Sequence, residues 1–82
     1  MTVAELALPY IMSHGEEEFT GAKISRIDIL PEDVETVKSF LGKKYALKDL
    51  ITGQTFIFDL RKAKIENNTL VYDGDKPNFY KV

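Results

Sequence analysis

The second half of the chain alternates apolar and polar residues in a way that predicts an antiparallel β-meander. Three β-rich runs follow one another with two short turn sequences between them: 44–51, Thr52-Gly53-Gln54, 55–65, Glu66-Asn67-Asn68 and 69–73. Connections this short indicate hairpins, because a parallel crossover needs about a dozen residues or more. Phe56, Ile57 and Phe58 are apolar on both faces of the middle run, so we expect that run to be the central strand.

Residues 31–41 carry the signals of an amphipathic helix. Pro31 suits the first helical position, and Gly42 can adopt the left-handed conformation that ends a helix. Acidic residues that complement the positive end of the helix dipole are Glu32, Asp33 and Glu35. The apolar stripe expected to pack on the sheet consists of Val34, Val37 and Leu41.

Residues 3–13 fit two different elements. Thr2 and Glu5 form a pair that is typical of a helix start, but Pro9 in a helix interior costs about 3 kcal/mol. Every second residue from Ala4 to Met12 is apolar, which favours an edge strand that keeps Pro9 on its other face. We therefore predict a strand here, with the helix as the alternative.

With a second strand inside residues 19–30 and a last one over 78–82, the predicted element order is ββαββββ. The predicted fold class is α+β, with one antiparallel sheet of five to six short strands and one helix over 31–41. We expect the sheet to curl around one core, as a partly closed small barrel does. The 82 residues are expected to form a single domain, 1–82.

The composition is that of a soluble globular protein. Hydrophobic residues make up 44% of the chain and charged residues 29%, which is enough apolar surface for a packed core. The absence of cysteine excludes disulfides, thiolate catalysis and cysteine-based zinc sites. The apolar run 6–12 is interrupted by Pro9, is too short for a membrane span and follows no basic segment. We expect a cytoplasmic protein with no membrane partner.

No motif predicts a catalytic, cofactor or metal site. His14 lies near three consecutive glutamates, but a single histidine without cysteine leaves a metal ligand set incomplete. Asp73-Gly74-Asp75 resembles part of a calcium loop, yet these residue types equally favour an ordinary turn. Gly42-Lys43 lacks the upstream glycine of a phosphate-binding loop. We therefore expect no enzyme, no cofactor and no metal.

Charge is divided unevenly along the chain, although its net value is only −2. Acidic residues outnumber basic ones in residues 1–42, and the reverse holds in residues 43–82. We predict a small non-enzymatic binding module of accessory, regulatory or inhibitor type, which binds a protein partner or a second copy of itself. The predicted partner-binding residues are Glu16, Glu17, Glu18, Glu32, Asp33 and Glu35.

The alternative is a small β-sheet or barrel protein that binds single-stranded nucleic acid through a basic face. The residues predicted for that face are Lys48, Arg61, Lys62 and Lys64. They alternate with aromatic residues, and a sheet that exposes both types can stack bases and hold phosphates. The net acidic charge weighs against this function. Exposed Phe56, Phe58 or Tyr72 beside Arg61 would favour it.

Overall fold

The computed structural model describes residues 1–14 and 19–82. These residues form two α-helices, one 3-10 turn and six strands. In chain order the elements are α1 (Val3–His14), β1 (Arg26–Asp28), the 3-10 turn (Pro31–Asp33), α2 (Val34–Lys38), β2 (Lys44–Lys48), β3 (Thr55–Asp59), β4 (Ala63–Glu66), β5 (Thr69–Tyr72) and β6 (Phe79–Lys81). Within the described ranges, neither helix has the length and apolar character needed to cross a membrane.

The strands form two antiparallel sheets of three strands each. β3 is the central strand of the first sheet, in the order β2-β3-β6, and β5 is central in the second, in the order β1-β5-β4. In the first sheet, Phe58 of β3 lies opposite Tyr45 of β2 and Phe79 of β6. The α+β class, the antiparallel pairing and the central position of the Phe56-to-Phe58 segment are therefore confirmed.

The predicted strand over residues 55–65 is in fact two strands that belong to different sheets. The chain leaves the first sheet after Asp59 and enters the second at Ala63. Leu60 lies at this bend, is fully buried, and forms backbone hydrogen bonds with Gly42 and Lys43. Because Leu60 turns into the core here, the described strands form two sheets that do not close into a barrel. This corrects the prediction of a single, partly closed sheet.

The two predicted turns differ in how well they match the structure. Asn67 and Asn68 join β4 to β5 and have positive φ values of 49° and 60°. Two-residue hairpin turns need such values when the twist of the turn matches the twist of the two flanking strands. Asparagine tolerates this left-handed conformation better than most residues do. The turn predicted at Thr52-Gly53-Gln54 is part of a longer loop, residues 49–54, between β2 and β3.

The strand predicted over residues 3–13 is wrong, because this segment forms α1. At its start, the Glu5 N–H donates to Thr2 Oγ1 at 3.1 Å, and the Thr2 hydroxyl donates to Glu5 Oε1 at 3.3 Å. The residues that α1 buries in the core are Val3, Leu6, Ala7 and Ile11. Burying one large apolar side chain contributes about 1.5–3 kcal/mol, so together they outweigh the cost of Pro9. Pro9 itself lies on the exposed side of α1.

The helix predicted over residues 31–41 is shorter than expected. The 3-10 turn leads into α2, and the three N–H groups that follow α2 bond to carbonyls three residues earlier, as in a 3-10 helix. Gly42, with a φ of 82°, ends the segment as predicted. Val37 is the one member of the predicted apolar stripe that is fully buried, and the other two are half-buried.

Residues 22–25 link the two sheets, and the buried side chain of Asn78 holds them. The Asn78 amide accepts a hydrogen bond from the Ile24 N–H at 2.7 Å and donates one to the Ile24 carbonyl at 3.2 Å. Backbone hydrogen bonds join Ala22 to β6 and Ser25 to β5. Because a side chain takes the place of a neighbouring strand at Ile24, the strand predicted in this region is confined to β1.

The core is shared by α1, α2 and both sheets, and its centre is aromatic. Phe56, Phe58 and Phe79 are fully buried. The rings of Phe56 and Phe79 stack with centroids 5.2 Å apart and planes inclined by 2°. This inner face of the first sheet packs against α1, where the Tyr10 ring lies with its centroid 6.2 Å from that of Phe79.

Candidate functional site

A groove of about 400 Å³ has α1 on one side, and β2 with the loop that follows it on the other. We call it the edge groove. Its lining is mostly apolar and consists of Ala4, Leu8, Ile11, Ala46, Leu47, Lys48, Asp49, Leu50 and Ile51. The three helical members are spaced by four and three residues, so they share one side of α1. The groove therefore has a helix face as one wall and a strand as the other.

Three large apolar side chains of the edge groove are in solvent. Leu50 is 89% exposed, Ile51 is 93% exposed and Leu8 is 49% exposed. Met12 is also exposed, and it follows Leu8 by about one helical turn. Single exposed apolar residues are common on protein surfaces, whereas a group of them around one groove is less usual.

The loop that carries Leu50 and Ile51 is held by its own backbone. The Asp49 carbonyl accepts a hydrogen bond from the Gly53 N–H at 2.8 Å, and Asp49 Oδ1 accepts one from the Ile51 N–H at 3.0 Å. Gly53 has a φ of 75°, a conformation that suits glycine better than other residues. The loop has a defined shape that directs both apolar side chains outward.

β2 is an edge strand, with a partner strand on one side only among the described residues. The Asp49 N–H and the Lys43 carbonyl, which flank β2, both bond to the chain of β3, at 2.8 and 3.0 Å. Hydrogen-bonding groups alternate sides along an antiparallel strand. Odd-numbered residues of β2 therefore bond to β3, and the N–H and C=O groups of Lys44, Ala46 and Lys48 point away from it.

A second depression, of about 590 Å³, combines basic and tyrosine side chains. We call it the tyrosine cleft, and its lining consists of Asp59, Arg61, Lys62, Tyr72, Lys76, Pro77 and Tyr80. Arg61 Nε and Nη2 lie 3.0 and 2.8 Å from the two carboxylate oxygens of Asp59. Hydrogen bonding from Arg61 lowers the pKa of Asp59 and, in return, raises the pKa of Arg61. Because this pair is neutral overall, Lys62 and Lys76 supply the net positive charge of the cleft.

The four basic residues predicted for a nucleic-acid face do not lie together. Lys48 lines the edge groove, whereas Arg61 and Lys62 line the tyrosine cleft. Lys64 pairs with two carboxylates at 3.1 and 3.2 Å, and hydrogen bonding to them raises its pKa. The structure thus brings only two of the four residues to one site.

The aromatic rings that would stack bases are core residues. Phe56 and Phe58 are fully buried, and Tyr72 is 9% exposed. Tyr80 is half-buried at the tyrosine cleft. Base stacking needs an open ring face, so this arrangement does not favour a single-strand binding surface.

The acidic residues predicted to bind a partner are described only in part. Three of the six lie outside the described residues, namely Glu16, Glu17 and Glu18. The other three lie at the 3-10 turn and the start of α2, namely Glu32, Asp33 and Glu35. Glu35 forms an exposed ion pair with Lys38 at 3.3 Å. Their role in partner binding stays a prediction.

His14 lies against an aromatic ring. Its imidazole stacks on Phe19 with centroids 4.4 Å apart and planes inclined by 22°. In residues 1–14 and 19–82, no three His, Cys, Asp or Glu side chains are grouped so that they could hold a metal ion. The described contact of His14 is that of a packed ring.

The sequence pattern did not reveal the edge groove. It placed Leu50 and Ile51 at the end of a strand, whereas both residues lie in the loop after β2. The one signal was an apolar pair directly before Thr52-Gly53, where polar turn residues are usual.

Comparison with known proteins identifies no relative, because no family model, curated protein or solved structure matches the chain.

Proposed function

We propose that this protein is a small non-enzymatic module that binds another protein through the edge groove. The observation that carries this proposal is the almost complete exposure of Leu50 and Ile51 on a loop that directs them outward. Burying one such side chain contributes about 1.5–3 kcal/mol. Together with Leu8, these residues form the apolar centre that a protein interface needs.

The edge groove suits a polypeptide because it presents two kinds of recognition group side by side. The wall formed by α1 offers apolar side chains, and the wall formed by β2 offers backbone donors and acceptors. A polypeptide can satisfy both, since its backbone pairs with a strand edge while alternate side chains enter pockets.

Selection from a library of random displayed peptides tests this function. Peptides enriched on the immobilised wild-type protein are expected to bind the double variant Leu50→Ser/Ile51→Ser at least about tenfold more weakly. The matched control is Leu30→Ser/Val82→Ser, which removes two exposed apolar side chains that do not line the edge groove. Binding to the control is expected to equal binding to the wild type.

Three outcomes would contradict the proposal. One is that no peptide is enriched on the wild-type protein. Another is that enriched peptides bind the groove variant as tightly as the wild type. The third is that both variants lose binding equally, which would mean that the peptides bind to exposed apolar side chains anywhere on the surface.

The acidic residues at the 3-10 turn remain proposed contacts for a basic region of the same partner. The double variant Glu32→Lys/Asp33→Lys is expected to keep its fold, since neither carboxylate has a described side-chain hydrogen bond. Association with a selected partner should become slower and less dependent on salt, because electrostatic steering acts mainly on the association rate. Unchanged association kinetics would exclude this contribution.

Nucleic-acid binding is a second candidate, which the tyrosine cleft supports. Lys62 and Lys76 both line the cleft, and their two positive charges can hold a phosphate. Titration of labelled oligo-dT and oligo-rU at low and physiological salt distinguishes the two candidates. Micromolar or tighter binding at physiological salt, lost in Lys62→Glu/Lys76→Glu but kept in Lys64→Glu, would make nucleic acid the function.

A further inference from the structure

We propose that the edge groove takes an extended, acidic peptide segment, which adds to the free edge of β2 as a further antiparallel strand. This inference rests on the proposed function and names the chemistry of the partner. It follows from the hydrogen-bonding direction of β2, from the charges on its outer face and from the position of α1 beside it.

The backbone of β2 offers a set of hydrogen-bonding groups that only another strand can fully use. The N–H and C=O groups of Lys44, Ala46 and Lys48 point away from β3. A peptide residue placed opposite Ala46 in antiparallel register exchanges two hydrogen bonds with it. The edge groove, of about 400 Å³, lies beside Ala46, Leu47 and Lys48 of this edge.

The charges on the outer face of β2 favour acidic residues in the peptide. Lys44, Ala46 and Lys48 are exposed and share that face. A peptide residue directly opposite either lysine shares its face, and opposite charges in such a pair stabilise a sheet. Lys44 also lies opposite Asp59 of β3, but Asp59 is already bonded to Arg61. Lys44 acts on Asp59 through its charge alone, with no ion pair described between them, so its ammonium group can pair with an acidic residue of the peptide.

The other face of the added strand meets the apolar part of the groove. Tyr45 and Leu47 are half-buried and point to the core side of β2. The peptide residue opposite Leu47 points into the groove, which Leu47 lines together with Leu8 and Ile11 of α1. The peptide residue opposite Tyr45 points to the same side of the sheet, beside the half-buried Tyr45 ring. The peptide pattern that fits is therefore acidic, apolar, any, apolar, acidic.

A second copy of this chain fits the same edge less well. Two β2 strands that paired with full overlap around a two-fold axis through Ala46 would place Lys44 opposite Lys48 of the other copy, twice. Like charges directly opposite each other destabilise a sheet. The two lysines thus oppose self-pairing and favour an acidic strand from a different protein.

A synthetic peptide with the sequence Glu-Val-Thr-Val-Glu, acetylated and amidated, tests the inference by titration in an NMR experiment. The amide signals of Ala46 and Lys48 are expected to shift and to gain protection from hydrogen exchange. N-methylation of the central threonine, which faces Ala46, should weaken binding about tenfold. N-methylation of either valine removes an N–H that points away from β2, so it should change binding less than about threefold.

The controls separate this inference from the proposed function. A Lys-Val-Thr-Val-Lys peptide should bind at least about tenfold more weakly, because it places lysine opposite lysine. If N-methylation at every position had the same effect, or if the basic peptide bound as well, strand addition would be wrong. If library selection yielded groove-dependent peptides while the acidic peptide failed to bind, the proposed function would stand and this inference would fall. Dimerisation through β2 would also overturn it.

Discussion

Replacing Asn78 with alanine should remove the clamp that joins residues 22–25 to the first sheet. Asn78 is 1% exposed, and its side-chain amide pairs with both backbone groups of the buried residue Ile24. Alanine provides neither the donor nor the acceptor. The Ile24 N–H and C=O would then be left without partners in a region with little access for water.

The expected loss of stability follows from these two hydrogen bonds. Leaving one buried neutral polar group unsatisfied costs about 1–3 kcal/mol. Two such groups at Ile24 give an expected loss of about 2–6 kcal/mol. A domain of this size shifts in Tm by about 4–8 °C per kcal/mol, so Tm should fall by about 8 °C or more.

Urea unfolding followed by far-UV circular dichroism and tyrosine fluorescence measures this loss. The chain contains four tyrosines and no tryptophan, so tyrosine is the useful intrinsic fluorophore. Ser39→Ala is the matched control, because the Ser39 hydroxyl donates to the Thr36 carbonyl at 2.6 Å on the surface, where water can replace it. The control should lose less than about 0.5 kcal/mol. A loss below about 1 kcal/mol for Asn78→Ala would refute the clamp.

Three further changes test other parts of the structure. Val37→Asp places an unpaired charge at a fully buried position and should unfold the protein or cost several kcal/mol, so a near-normal circular dichroism melt would contradict the packing of α2. Gly74→Ala should force the Tyr72 ring out of its place, because an added Cβ would collide with that side chain; unchanged tyrosine NMR shifts would contradict this contact. Hydrogen bonding from Arg61 lowers the pKa of Asp59. The pair therefore stabilises the folded state at every pH above the ordinary pKa of aspartate, and this stabilisation is lost as the pH falls through the lowered pKa of Asp59. Asp59→Asn should therefore lose less stability than the wild type between about pH 5 and pH 2, and equal losses would argue against the pair.

The sequence predicted those parts of the fold that depend on local chemistry. Asn67 and Asn68 tolerate the positive φ that a tight hairpin needs, and Gly42 tolerates the conformation that ends the helical segment. Phe56 and Phe58 flank an apolar residue, which correctly marked the central strand. These signals come from the residues themselves and do not depend on distant parts of the chain.

The errors arose where tertiary packing decided the outcome. Residues 3–13 have apolar positions that fit both a period of two and a helical period, and the capping pair at Thr2 and Glu5 competed with Pro9. Burial against the core favoured the helix. The break between β3 and β4 at Leu60 likewise depends on a core position that the local pattern does not reveal.

The candidate site was harder to predict because it consists of apolar residues that the fold leaves uncovered. Leu50 and Ile51 look like core residues in the sequence, and only the loop over 49–54 places them in solvent.

Lysines on the edge strand usually serve to prevent pairing with other chains. In the proposed complex, the exposed charges of Lys44 and Lys48 would also discriminate between strands, because they would repel another β2 and attract an acidic segment. In that complex, the apolar groove would supply most of the affinity and the two lysines most of the specificity. Replacing both lysines with serine should therefore broaden the range of peptides bound more than it weakens the tightest of them.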